Sequence, residues 1–317
     1  MEREECIITV YGLVCEHDQV RKGLSPLRRG GGAPALSAEE VLTLELCGQY
    51  FQLSTDKDIF CSFRAHSAHF FPRLTARRLF VRQAANLWQV KAALPQRLTQ
   101  VSGQAADPIQ ILDPLPLPIC GYPRSSRDRG FKPWADSGHS AAKQLAYSGF
   151  KLGLRSARSG MITHLPLLPA RPHDLRLLAD WGEGFAGLVP AAKGLIAAFR
   201  PAVRAPRHGI VVVTPPRKGR TTAHRPPLLK LGARRRKGGE TGGAHLPERF
   251  AVARLRVHDL WPFHQRLIRT VLAHTVGVFL SLQLGRPPLA LAGLVTVESR
   301  KEAHIRYTDH SYDPRPP

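Results

Sequence analysis

Acid is scarce in this chain beside base. Its 46 Lys and Arg outnumber 24 Asp and Glu for a formal net charge of +22, and residues 184 to 239 hold no acid at all while carrying 13 Lys and Arg. Such a field draws polyanions, nucleic acid first and an anionic membrane surface second, and selects a partner rather than an activity. Long apolar runs are also missing. The longest uncharged one, TVLAHTVGVFLSLQL at 270–284, is shorter than a membrane span and carries His, Thr, Ser and Gln, so it reads as a buried helix. The five cysteines, Cys6, Cys15, Cys47, Cys61 and Cys120, are odd in number and form no CxxC, which argues against a disulfide framework and suits a reducing cytosol. Cys61, His66 and His69 lack a fourth ligand at finger spacing and read as ordinary residues rather than a zinc site. The opening MEREECIITVYGL has no basic segment leading into a long apolar core, so no signal peptide is expected, and the protein is expected to be soluble and intracellular.

What remains is a globular composition, 43% hydrophobic over 317 residues, enough for one large or two ordinary domains. Residues 1–35 end in a glycine-rich joint and read as a flexible N-terminal segment. Next, ALSAEEVLTLELCGQYF opens with Ser37 and Glu40 at capping-box spacing ahead of an apolar run, which predicts a helix. Helices are also expected over STDKDIFCSFRAHSAHFF and over TARRLFVRQAANLWQVKAALPQRLTQ, with a break or bend at Pro95. Residues 36–105 thus read as a small all-helical domain with basic faces.

From residue 106 the pattern changes. IQILD is a short apolar run ending on Asp113, followed by the Pro-rich PLPLPIC. SGFKLGLRS and GMITHLPLLPA read as two strands joined by a turn at Ser159 and Gly160. PHDLRLLADWGEGF resembles a helix, GLV a short strand, AAKGLIAAF a helix and GIVVVTP a further strand, with helices at the end. The order is that of an α/β domain over 106–295, followed by a polar tail at 296–317 that reads as disordered.

Phosphodiester chemistry by two divalent ions needs carboxylates converging from separate elements. Asp113, at a strand end, and Glu240, opening the helix after the basic loops, are the candidates. Taken in order, LSAEEVLTLELCGQYFQLSTDKDIF, FVRQAANLWQVK, ILDPLPLPIC, AAKQLAYSGFKLGL, GMITHLPLLPA, RRRKGGETGGAHLPERF and LAHTVGVFLSLQLGRPPL resemble a DDE transposase of bacterial insertion sequences, specifically the insertion-sequence 982 group. The resemblance spans roughly residues 36 to 295.

It implies an RNase H-like catalytic domain preceded by a small all-helical DNA-binding domain. On this likeness Asp113 is the first catalytic Asp and Glu240 the catalytic Glu, together holding Mg²⁺ or Mn²⁺ in a two-metal site. Arg236, four positions before Glu240, is expected near a DNA phosphate, and Arg234, Arg235 and Lys237 belong to the same DNA-facing run. Lys143, Lys151 and Arg249 also match family positions, with phosphate contact and a solvated surface both open as roles. The family's second catalytic Asp falls on Ala192, within AAKGL, and alanine binds no metal. Asp174, Asp180 and Glu183 are the upstream acids within reach as a substitute metal ligand, with Asp174 the candidate. Gly242, Gly243 and Pro247 interrupt the expected catalytic helix, and Pro114 follows the first Asp where the family has a small residue.

The implied function is binding of element ends in double-stranded DNA, with metal-dependent cleavage and strand transfer, by a homo-oligomer in the bacterial cytoplasm without membrane attachment. The alternatives are a catalytically inactive DNA-binding protein derived from a transposase and a basic RNA-associated structural protein.

Overall fold

The computed structural model describes residues 1–17, 34–127, 130–140, 144–171, 185–190, 209–213, 230, 246, 248–250, 252 and 257–295. The chain is mixed helix and sheet. Among the described residues five helices come first: α1 (Arg3–Glu16), α2 (Ala38–Tyr50), α3 (Asp56–His66), α4 (Arg77–Asn86) and α5 (Trp88–Val101). Strands β1 (Ile111–Gly121), β2 (Asp136–Ser140), β3 (Leu145–Ser156), β4 (Ile162–His164), β5 (Leu167–Pro169), β6 (Gly187–Pro190) and β7 (Ile210–Val213) follow, and α6 (Leu260–Gln283) returns to the helices.

Helix α2 begins as its capping box dictates: the Ser37 hydroxyl accepts from the Glu40 amide at 3.1 Å, and the Glu40 carboxylate accepts from the Ser37 amide. Every residue from Val41 to Tyr50 is buried, because α2 is enclosed by α1, α3, α4 and α6. The segment read as a flexible N-terminus contains α1. Cys6, Ile7, Val10, Leu13 and Val14 recur at helical spacing, and this stripe is buried against α2. The terminal amine donates to the Leu294 carbonyl at 3.1 Å.

The packing adds two further observations. The break in the third helical stretch lies at Leu87, and Pro95 stands inside α5. Pro95 removes one backbone hydrogen bond, but Leu94 and Leu98 on either side of it are buried and keep the helix continuous. The boundary at 105/106 does not interrupt the packing: one hydrophobic cluster runs from α1 through α2 and α5 into β1, β3 and α6. Tyr50 donates to the Ala273 carbonyl at 2.7 Å, fastening α2 to α6. Helix α6 holds the long apolar run and is buried from Arg269 to Ser281. Among the described residues no helix is long and apolar enough to cross a membrane.

In the sheet, β3 pairs antiparallel with β1 along one edge and with β2, β5 and β4 in turn along the other. The turn at Ser159 and Gly160 is as expected, with Gly160 at φ +84°. Parallel strands β6 and β7 pair with each other, and a parallel bridge between Ile109 and Leu188 ties β6 to the approach to β1. The Gln110 amide donates to the Leu188 carbonyl at 3.0 Å, and the Leu188 amide donates to the Pro108 carbonyl at 2.8 Å.

Strand β1 does not end at Asp113 but continues to Gly121 through PLPLPIC. Backbone groups alternate sides along a strand, so the even positions of β1, like Pro108 and Gln110, face the β6 edge. Pro114, Pro116 and Pro118 all fall there, where a missing N–H costs nothing in the ladder to β3. They also leave no amide donor for any strand that would pair with β1 beyond the end of β6.

Candidate nucleic-acid interface

Asp113 is the third residue of β1, half buried, and opposite Leu154 of β3. Paired residues share a face, so Asp113 stands with Leu115, Leu117, Phe150, Leu152 and Leu154. That face is covered by α6, where Phe263 stacks on Phe150 with ring centroids 5.0 Å apart. Lys151 pairs with Pro116 and belongs to the opposite face. Asp113 and Lys151 are therefore on one pair of strands but not in one site.

The position of Asp113 along β1 is more informative. The bridge between Ile109 and Leu188 makes Pro190, the last residue of β6, level with Ile111. Asp113 lies two residues beyond that point, on the strand where the sheet changes from antiparallel to parallel neighbours. The start of this strand is held firmly. Asp107, buried, accepts from the Ile109 amide at 3.0 Å and pairs with the Arg158 guanidinium at 2.9 Å, which ties the entry of β1 to the turn between β3 and β4.

Arg249 is half buried beside Tyr50, and burial lowers its pKa. Its Nε has no hydrogen-bond partner among the described residues, so it is not an ordinary solvated surface arginine. Arg155, under the Phe185 ring at 5.4 Å, is also lowered by burial, and its Nε donates to Thr163 at 3.4 Å. Lys143, Asp174, Arg234, Arg235, Arg236, Lys237 and Glu240 lie outside the described residues, as does Ala192. Among the described residues no group of three or more His, Cys, Asp or Glu could hold a metal ion.

A second basic surface escaped the sequence reading as a site. Residues 59 to 106 also contain no acid, while they carry Arg64, Arg73, Arg77, Arg78, Arg82, Lys91 and Arg97. All six arginines are exposed. Arg64 donates to the Thr75 carbonyl at 3.0 Å and lies over the Phe60 ring. Arg73, Arg77, Arg78 and Arg82 make no ion pair with a carboxylate among the described residues. On α4, Phe80 and Ala84 are the buried positions, and Arg78 and Arg82, one turn apart, fall on the opposite side. Such unneutralised guanidiniums suit phosphate oxygens. The signal was legible as a second acid-free run, and only burial separates its interior cation from the outward ones. Lys91 is fully buried and pairs with Glu45 at 3.0 Å.

No family model, curated protein or solved structure matches the chain.

Proposed function

We propose that the chain is a transposase-type DNA-binding protein, with an RNase H-like sheet whose strand-cleaving centre is built on Asp113 and Glu240 and is one carboxylate short at position 192. The observation that carries this reading is the register of β6 against the entry to β1. Pro190, the last residue of β6, is level with Ile111, which leaves Asp113 two residues beyond the end of β6, and position 192 follows Pro190 by two in the sequence. The family resemblance, drawn from sequence motifs alone, assigns the two Asp to these two positions.

Asp113 is a hard oxygen donor and half buried, which fits Mg²⁺ or Mn²⁺. Bound divalent ions would polarise the phosphate and lower the pKa of an attacking water. The chain's own contribution is positional. Asp113 offers one carboxylate from a braced strand, while Arg73, Arg77, Arg78, Arg82 and the run Arg234 to Lys237 neutralise phosphates of element-end DNA. A homo-oligomer on paired ends completes the reading. Ala192 favours the second reading as well, a DNA-binding descendant that no longer cleaves, because residues 184 to 239 contain no replacement acid.

The test is Mg²⁺- or Mn²⁺-dependent nicking of supercoiled DNA. The unmodified chain should nick weakly or not at all, Ala192→Asp should gain activity, and adding Asp113→Ala should abolish that gain. Activity in the unmodified chain that survives Asp113→Ala would remove the proposed centre. If Ala192→Asp binds DNA but gains no nicking, the non-cleaving reading is favoured.

A further inference from the structure

Three of the four tryptophans fall among the described residues, and all three face solvent: Trp88 is 39% exposed, Trp134 56% and Trp261 51%. Clusters of exposed rings mark interaction sites more often than single ones do. Trp88 opens α5, and Trp261 is the second residue of α6. Their rings meet edge to face, with centroids 6.1 Å apart and planes at 77°. Trp134 belongs to the same end of the molecule. Its amide donates to the Phe131 carbonyl at 2.8 Å, and the Phe131 ring packs on Phe263, two residues beyond Trp261, at 5.8 Å.

Cations flank these rings. Arg82 sits one helical turn before Asn86, the end of α4, which only Leu87 separates from Trp88. Arg78 lies one turn further back on the same side, beside Arg77, and Lys132, exposed, precedes Trp134 by two residues. Two acids stand equally near in sequence, Asp259 at the N-cap of α6 and Asp136 two residues after Trp134.

We propose that this face binds an unpaired DNA strand, with bases stacked on Trp88 and Trp261 and phosphates held by Arg77, Arg78, Arg82 and Lys132. Duplex DNA keeps its bases inside the helix, so it needs the guanidiniums and has no use for the rings. A strand with bases exposed uses both, since every base has a face to stack and a phosphate to neutralise. The flanking charge is mainly positive, with Arg77, Arg78, Arg82 and Lys132 against Asp136 and Asp259, and matches the excess over the whole chain, which favours a polyanion over a protein partner. The inference rests on the reading of the chain as a DNA-acting protein and adds the strand state that this face accepts.

The experiment uses the full chain, a labelled thymidine oligonucleotide and a labelled duplex of equal length, read by fluorescence anisotropy. Trp88→Ala and Trp261→Ala should each weaken single-strand binding by roughly 5- to 150-fold and leave duplex binding unchanged. Trp88→Phe, which still stacks, should keep most of the affinity and so separates stacking from misfolding. The triple variant Arg77→Ala/Arg78→Ala/Arg82→Ala should weaken both ligands. Unchanged single-strand binding in the tryptophan variants overturns the proposal, as does equal loss for both ligands. A change in oligomeric mass without loss of single-strand binding assigns the face to a protein contact and also overturns it. Failure of the intact chain to bind either DNA would refute the wider DNA-binding reading instead.

Discussion

Lys91→Met should destabilise the protein by about 3 kcal/mol, the lower end of the range for removing one partner from a buried ion pair. The structure sets that magnitude. The Lys91 and Glu45 side chains are 1% and 4% exposed, with Nζ 3.0 Å from Oε2 and donating a directed hydrogen bond to Oε1 at 3.1 Å. Arg269, 4% exposed, lies 3.5 Å from the same Oε1 and 2.6 Å from Asp56. Lys91, Arg269, Glu45 and Asp56 thus form one network where α2, α5 and α6 meet the start of α3, with Arg266 also acting on Asp56. Removing Lys91 leaves Glu45 with only the longer contact to Arg269, which still offsets part of the loss. The double variant Glu45→Leu/Lys91→Met leaves Arg269 paired with Asp56, so it should recover most of the stability lost in Lys91→Met. Urea unfolding followed by circular dichroism, comparing the two single variants with the double, measures the coupling. A loss under about 1 kcal/mol for Lys91→Met, or a double variant as unstable as the sum of its parts, would refute the network as a coupled unit.

Two further outcomes follow from the same geometry. Burial lowers the His17 pKa below its ordinary 6.5, with Arg97 adding to the effect and Glu16 opposing it, while the ring packs edge-on against Phe279. The unfolded chain then takes the proton first. Stability is fully present above 6.5, falls as the pH drops toward the folded value, and levels off below it. In His17→Phe the urea midpoint should fall less between neutral pH and pH of about 5 than in the unmodified chain, and an identical fall would refute the assignment. For the basic face, Arg77→Ala/Arg78→Ala/Arg82→Ala should reduce the slope of log affinity against log salt for duplex DNA by about 0.9 per phosphate contact removed. An unchanged slope would mean that these arginines do not meet phosphates.

The helical half was largely legible. The Ser37 and Glu40 capping box and the apolar spacing after it are local signals, and local hydrogen bonds honour them. The Ser159–Gly160 turn was legible for the same reason, since a left-handed backbone favours glycine. Errors fell where tertiary packing overruled local preference. Pro95 breaks an isolated helix but not one clamped by Leu94 and Leu98. The Pro-rich PLPLPIC does not read as a strand, yet its prolines recur every second residue and fall on the one edge of β1 where no donor is required. The glycine-rich run after residue 29 favours a flexible joint locally, but α1 before it is held by burial of Cys6, Ile7, Val10, Leu13 and Val14.

By itself, the sequence determined the charge and its distribution: two long acid-free runs and a net charge of +22. These are properties of composition and order, and folding cannot change them. The tertiary structure alone decided which cations face water and which are neutralised inside, as Lys91 is and Arg82 is not. It also decided that Asp113 stands two residues beyond the level of the last residue of β6, and that Trp88 and Trp261, distant in the chain, share one exposed edge. Register and helix packing are long-range, set by burial of faces that no short window of sequence contains, and the candidate sites are built from those relations.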